Sequence, residues 1–235
     1  MYIVVLIGLL AFYIAGLFSL QFFKNIKVAN LLFALLTFVF YIPVVIVAYT
    51  KNGFNDWNFL NTLPTANVSP FMFTICLIIC FLPTKIKKPF LTLISLLSLG
   101  MILSPIISII GYISRSYAFH FEFVFDFIAH FVLSLWGIYL VKTKQTFTNL
   151  KGLLASGSII VGVALVMVIL NIIFDQSFFG LSLNGKHNIY GVRVVENSCL
   201  SAFIYFIGLI LIEFLGFFYS GLLSKITLRQ QDKQS

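Results

Sequence analysis

The chain has 235 residues, of which 60% are hydrophobic and only 9% charged, and its mean hydropathy is +1.07. Soluble domains carry roughly a quarter charged residues and cover themselves with polar side chains, so this composition argues against a water-soluble fold and for a bilayer, where the outer surface must also be apolar. The net charge of +8 would suggest nucleic acid in a soluble protein. Here the basic residues sit in short connections between apolar runs, the pattern of membrane orientation, so no nucleic-acid partner is expected and membrane lipid is.

A helical span needs about 20 apolar residues. In chain order, hydropathy predicts spans at 2–22, 28–49 with Pro43 inside, a short one at 68–83, 89–112 with Pro89 at its start and Pro105 inside, then 119–141, 152–174 and 197–223. The predicted fold is an all-α polytopic transmembrane bundle of about seven helices forming one domain over 1–235. Intrahelical prolines are tolerated there because neighbouring helices satisfy the freed backbone groups. No basic stretch precedes the first span and no small-residue cleavage site ends it, so it reads as a retained span. Alternate connections carry Lys24 and Lys27; Lys85, Lys87 and Lys88; Lys142, Lys144 and Lys151; and Lys225, Arg229 and Lys233, eleven in all. The opposite set has four: Lys51, Arg115, Lys186 and Arg193. This excess predicts a multi-pass cell-membrane protein with the N-terminus outside and the C-terminus cytoplasmic.

Two external segments are long, 50–67 and 175–196. In the second, Asn184-Gly185 lies between alternating apolar stretches, which predicts a small hairpin, because a tight turn needs positive φ at both central positions. The three cysteines, Cys76, Cys80 and Cys199, have no CxxC or Cys/His metal spacing. Cys76 and Cys80 read as small hydrophobes of one helix face. No cofactor or metal is expected.

Ionisable groups in a span are costly and are therefore the first functional candidates. Glu122, Asp126 and His130 recur every four residues and share one helix stripe, continued by Leu133 and Gly137. His130 lies roughly 15 Å deeper than residue 120 at the rise of an α-helix. Asp126 is positioned to orient the His130 imidazole and raise its basicity, the preparation of a general base. The structural alternative is a helix cap at Glu122 and a satisfied Asp126–His130 pair. Residues 60–71 bring Thr62, Thr65, Asn67 and Ser69 around two prolines, either as a loop and helix start or as a hydroxyl nucleophile and oxyanion donors near His130. Asn171 and Asp175 end the sixth span at the same outer level, and Glu196, Asn197 and Ser198 open the seventh. Catalytic candidates are His130, Asp126, Thr65 and Thr62; substrate-binding candidates are Asn67, Ser69, Glu122, Asn171 and Asn197. Glu213, deep in the seventh span, is expected to be neutral and hydrogen-bonded, since no span offers a cation to pair with it.

Three stretches carry a resemblance: LPTANVSPF at 63–71, FDFIAHFVLSLWGIYLVKTKQTFTNLKGLL at 125–154, and NIIFDQSFFGLSLNG at 171–185. Their order and spacing resemble the YwaF-type bacterial integral membrane proteins, which are distantly similar to eukaryotic membrane phospholipid acyltransferases and androgen-induced-type fatty-ester hydrolases. The resemblance implies that His130 matches the intramembrane histidine acting as base in those enzymes, and that the start of the third span matches the region supplying a Cys or Thr nucleophile. The LP-x-H-x-C pattern of that region is missing: Ala66 and Val68 stand at the His and Cys positions of an ungapped match, so the cysteine is absent and Thr65 or Thr62 would substitute. Three functions compete: a lipid acyl-ester transferase or hydrolase with a His-based site in the outer half of the bundle, a small-molecule or ion transporter, and a non-catalytic membrane protein.

Overall fold

The computed structural model describes residues 2–52, 68–114, 122–147, 149–174, 207–208, 210–223 and 225. Among these residues seven α-helices run in chain order: α1 Tyr2–Ser19, α2 Ile26–Asn52, α3 Val68–Phe81, α4 Thr84–Ser114, α5 Glu122–Lys142, α6 Leu150–Phe174 and α7 Ile210–Leu223. Among the described residues there is no strand. The first, second, fourth, fifth and sixth helices are long and apolar enough to cross a membrane. Their outward surface is apolar, with Val4, Phe18, Ile46, Ile107 and Ile172 all strongly exposed. A continuous apolar exterior of this kind is stable in lipid and not in water. The chain is an all-α integral membrane protein.

The helix ends follow local chemistry. The Asn25 Oδ1 accepts from the backbone N–H of Lys27 at 3.1 Å and of Val28 at 3.2 Å, so α2 begins two residues before the predicted 28. Helix α4 begins at Thr84, a turn earlier than the predicted 89. The Pro83 carbonyl accepts from Ile86 at 3.0 Å and Lys87 at 2.8 Å, which opens the helix before Pro89. Hydropathy misses this turn because it is lysine-rich. Helix α5 ends with the Gln145 N–H donating to the Leu140 carbonyl at 3.0 Å, the Lys144 N–H to that of Val141 at 3.0 Å, and Lys144 in the left-handed region at φ 56°. That bond pair is the Schellman termination, usually built on glycine. Several hydroxyls inside the spans are satisfied on their own helices: Thr37 donates to the Phe33 carbonyl, Thr74 to that of Pro70, and Ser98 to that of Ser95.

Helix α5 is the axis. Within it 78% of the apolar window is buried, against 17% in α1 and 22% in α2. It packs on α1, α2, α3 and α4, while α6 packs on α4. Helix α7 lies against α4 and α6: Gly216 abuts the backbone of Leu96, Gly100 leaves room for Ile212, and Glu213 faces Gly157. Close crossings on small residues are how helices associate in lipid, where no hydrophobic force acts between them. The aromatic core runs along α5: Tyr13 with Phe131 at 5.2 Å, Phe33 with Tyr139 at 5.6 Å, and Tyr41 with Phe73 at 4.8 Å between ring centroids.

Candidate functional site

From His130 onward the stripe proposed from sequence faces the protein interior, while the Asp126 side chain one turn before it is 30% exposed. His130 and Leu133 are buried, and at Gly137 a Cβ would come within 2.6 Å of Ser98 Cβ and 2.8 Å of the Ile94 carbonyl. Since four helices pack on α5, His130 and Ser134 escape the cost of meeting lipid.

His130 is held on two sides. Its Nδ1 lies 2.8 Å from the backbone carbonyl of Asp126. A carbonyl only accepts, so Nδ1 carries the hydrogen and Nε2 holds the lone pair. The Asp126 carboxylate is farther off, with Oδ1 3.5 Å from Nδ1. The backbone therefore orients the imidazole, and the carboxylate stands at ion-pair distance, where it would stabilise an imidazolium. Across the ring, Phe73 of α3 meets His130 edge to face at 4.8 Å and 86°, and the Tyr41 ring of α2 packs tilted on Phe73 at 4.8 Å. Among the described residues, Nε2 makes no hydrogen bond. Helices α5 and α3 thus hold an oriented imidazole, its Nε2 unpaired among the described residues, about 12 Å along α5 from Glu122.

The other sequence candidates separate. Thr62, Thr65, Asn67 and Asn197, with the 175–196 hairpin, lie outside the described residues, as do the side chains of Glu122 and Asn171. Ser69, at the start of α3, sits with its Oγ 3.9 Å from Met101 Sγ of α4. Cys76 is fully buried and its Sγ donates to the carbonyls of Phe73 at 2.9 Å and Ala34 at 3.2 Å, in keeping with the small-hydrophobe reading. Glu213 is buried, with Oε2 against Gly157 of α6; Oε1 has no hydrogen-bond partner among the described residues, and the Ser156 hydroxyl donates to the Leu153 carbonyl at 3.2 Å.

Two polar clusters escaped sequence reasoning. Ser134 follows His130 by one more step of four, and its Oγ is 2.9 Å from the Tyr13 hydroxyl of α1, so the polar stripe continues inward. At the opposite end, Asn30 of α2 accepts from Trp136 Nε1 at 3.0 Å and donates to Gln145 Oε1 at 2.7 Å; its backbone carbonyl accepts from Cys80 Sγ at 3.5 Å. Spacing alone could have found Ser134. Nothing local marks Asn30, whose side-chain partners lie 106 and 115 residues away.

No family model, curated protein or solved structure matches the chain. Fold and site together define the class of an α-helical integral membrane protein with a buried, oriented histidine on its central helix.

Proposed function

We propose that this protein is a membrane enzyme that transfers or hydrolyses a lipid acyl ester, with His130 as general base. One observation carries the reading: His130 is buried on the axial helix with Nδ1 pinned to the Asp126 carbonyl, which leaves Nε2 to take a proton from a hydroxyl. Asp126, 3.5 Å away, supports the imidazolium that results. The YwaF-type resemblance points the same way, and the 62–69 segment supplies the hydroxyl, Thr65 or Thr62, just before α3, which carries Phe73 against the histidine. Such a base contributes roughly 10²- to 10⁴-fold in rate. The test is ester turnover by the purified protein in lipid vesicles. His130→Ala is expected to lower it by at least a hundredfold with the helical signal intact, and Thr65→Ala or Thr62→Ala to do the same. Full activity in the histidine variant removes the base role.

Transport is a second reading, favoured by the Ser134–Tyr13 pair beyond His130 and by Glu213 buried between α6 and α7. These extend polar groups away from the outer half, as a through path requires. Ion flux in the same vesicles with no ester turnover would decide for it.

A further inference from the structure

The end of the bundle opposite Glu122 is a site of unbalanced positive charge. The connections at 20–27, 81–88 and 142–151 hold eight lysines and no acidic residue. The structure gathers all three at one end. The Tyr139 hydroxyl donates to the Phe23 carbonyl at 3.2 Å, Asn30 joins Gln145 to Cys80, and the Phe147 N–H donates to Thr92 Oγ1 at 3.1 Å. Within this collar Phe147, in the α5–α6 turn, draws two ammonium groups from different helices: Lys88 Nζ lies 4.3 Å from the ring centroid and Lys151 Nζ 6.0 Å. Neither makes an ion pair among the described residues. Lys88 is in the second turn of α4 and Lys151 in the first turn of α6, so the positive ends of two helix dipoles converge there as well. Beside Phe147, Thr146 is buried and its Oγ1 has no hydrogen-bond partner among the described residues.

We propose that Lys88, Lys151 and the α5–α6 turn form a binding site for the phosphate of an anionic phospholipid. Two cations held near one ring by separate helices repel each other, and a bound phosphate relieves the repulsion by bridging them. A lipid fits better than free phosphate, because the apolar residues flanking the lysines are exposed: Ile86 on α4, with Leu150 and Leu154 on α6. Acyl chains can lie along these residues while the head group meets the ammonium pair. Lipid-recognising basic clusters between spanning helices take this form. Phe147 holds the lysines in place from below through its ring face.

The test uses the full chain purified in zwitterionic detergent, with native mass spectrometry counting retained phosphatidylglycerol against phosphatidylcholine. Wild type is expected to retain phosphatidylglycerol selectively. Lys88→Gln with Lys151→Gln is expected to lose that selectivity by roughly tenfold, and the single exposed change Lys151→Gln part of it. Lys24→Gln with Lys27→Gln, elsewhere in the collar, is expected to leave it unchanged. Lys87 is kept, since its Nζ caps the Cys80 carbonyl at 2.9 Å. Equal retention by wild type and the Lys88/Lys151 variant overturns the site. Equal losses in both double variants overturn it too, by reducing it to diffuse surface charge. Displacement of the lipid by millimolar inorganic phosphate would assign the site to free phosphate instead.

Discussion

Asn30 joins three parts of the chain with one side chain and one carbonyl. It satisfies the Trp136 indole, the Gln145 amide and the Cys80 thiol, tying α2 to α5, to the α5–α6 turn and to α3. Removing the amide leaves a buried indole N–H unpaired, at a cost of about 1–3 kcal/mol. Asn30→Ala is therefore expected to lower the unfolding midpoint measured in detergent, with little effect on helix content. Lys144 offers the opposite case. It holds φ 56° at the end of α5, where a side chain costs roughly 1–2 kcal/mol and glycine does not. Glycine's greater freedom in the unfolded chain offsets part of the gain. Lys144→Gly is expected to stabilise by about 0.5–1 kcal/mol in the same unfolding assay. At this scale the candidate site was partly legible. The four-residue spacing of Asp126 and His130 placed both on one stripe, and both lie there. The spacing could not show that the backbone carbonyl, nearer than the carboxylate, holds Nδ1, because that depends on the rotamer chosen inside the packed helix.

Between elements, the contact of α5 with α4 depends on the absence of a side chain at Gly137. A Cβ there meets Ser98 Cβ at 2.6 Å and the Ile94 carbonyl at 2.8 Å, and backbone cannot yield as a flexible side chain can. Overpacking of this kind costs about 1–3 kcal/mol. Gly162 on α6 is the natural control, with nothing within 4 Å of a Cβ. Gly137→Ala is expected to destabilise, while Gly162→Ala is expected to be neutral or slightly stabilising through its better helix propensity; the paired unfolding midpoints measure the difference. Hydropathy located the described ends of α1, α2, α3, α5 and α6 to within a turn, while the predicted start of the seventh span at 197 lies outside the described residues. Hydropathy erred at Thr84 because a lysine-rich turn at a membrane edge is helical without being apolar, a distinction that a window of average hydropathy does not make. Which helix is axial was not legible. All seven read as apolar, and being surrounded is a property of neighbours.

For the whole molecule, the gathering of three lysine-rich connections at one end agrees with the alternation predicted from the basic residues, and that end is proposed to be cytoplasmic. With the native cysteines replaced, a cysteine at position 186 is expected to react in intact cells with an impermeant thiol reagent, and one at position 144 is expected to remain unlabelled. Labelling at 144 would invert the orientation. The sequence by itself determined the solvent, the helical class, the approximate spans and the stripe that must be hidden from lipid. These follow from composition, hydropathy and helical period, which are local sums along the chain. Only the tertiary structure decided that α5 is the axis, that Phe73 packs on His130 with Tyr41 against Phe73, that Asn30 joins α2, α3 and α5, and that Lys88 and Lys151 meet at Phe147. Those are pairings between residues far apart in sequence, and in a chain whose spans are nearly all apolar, close packing chooses among partners that hydrophobicity leaves equivalent.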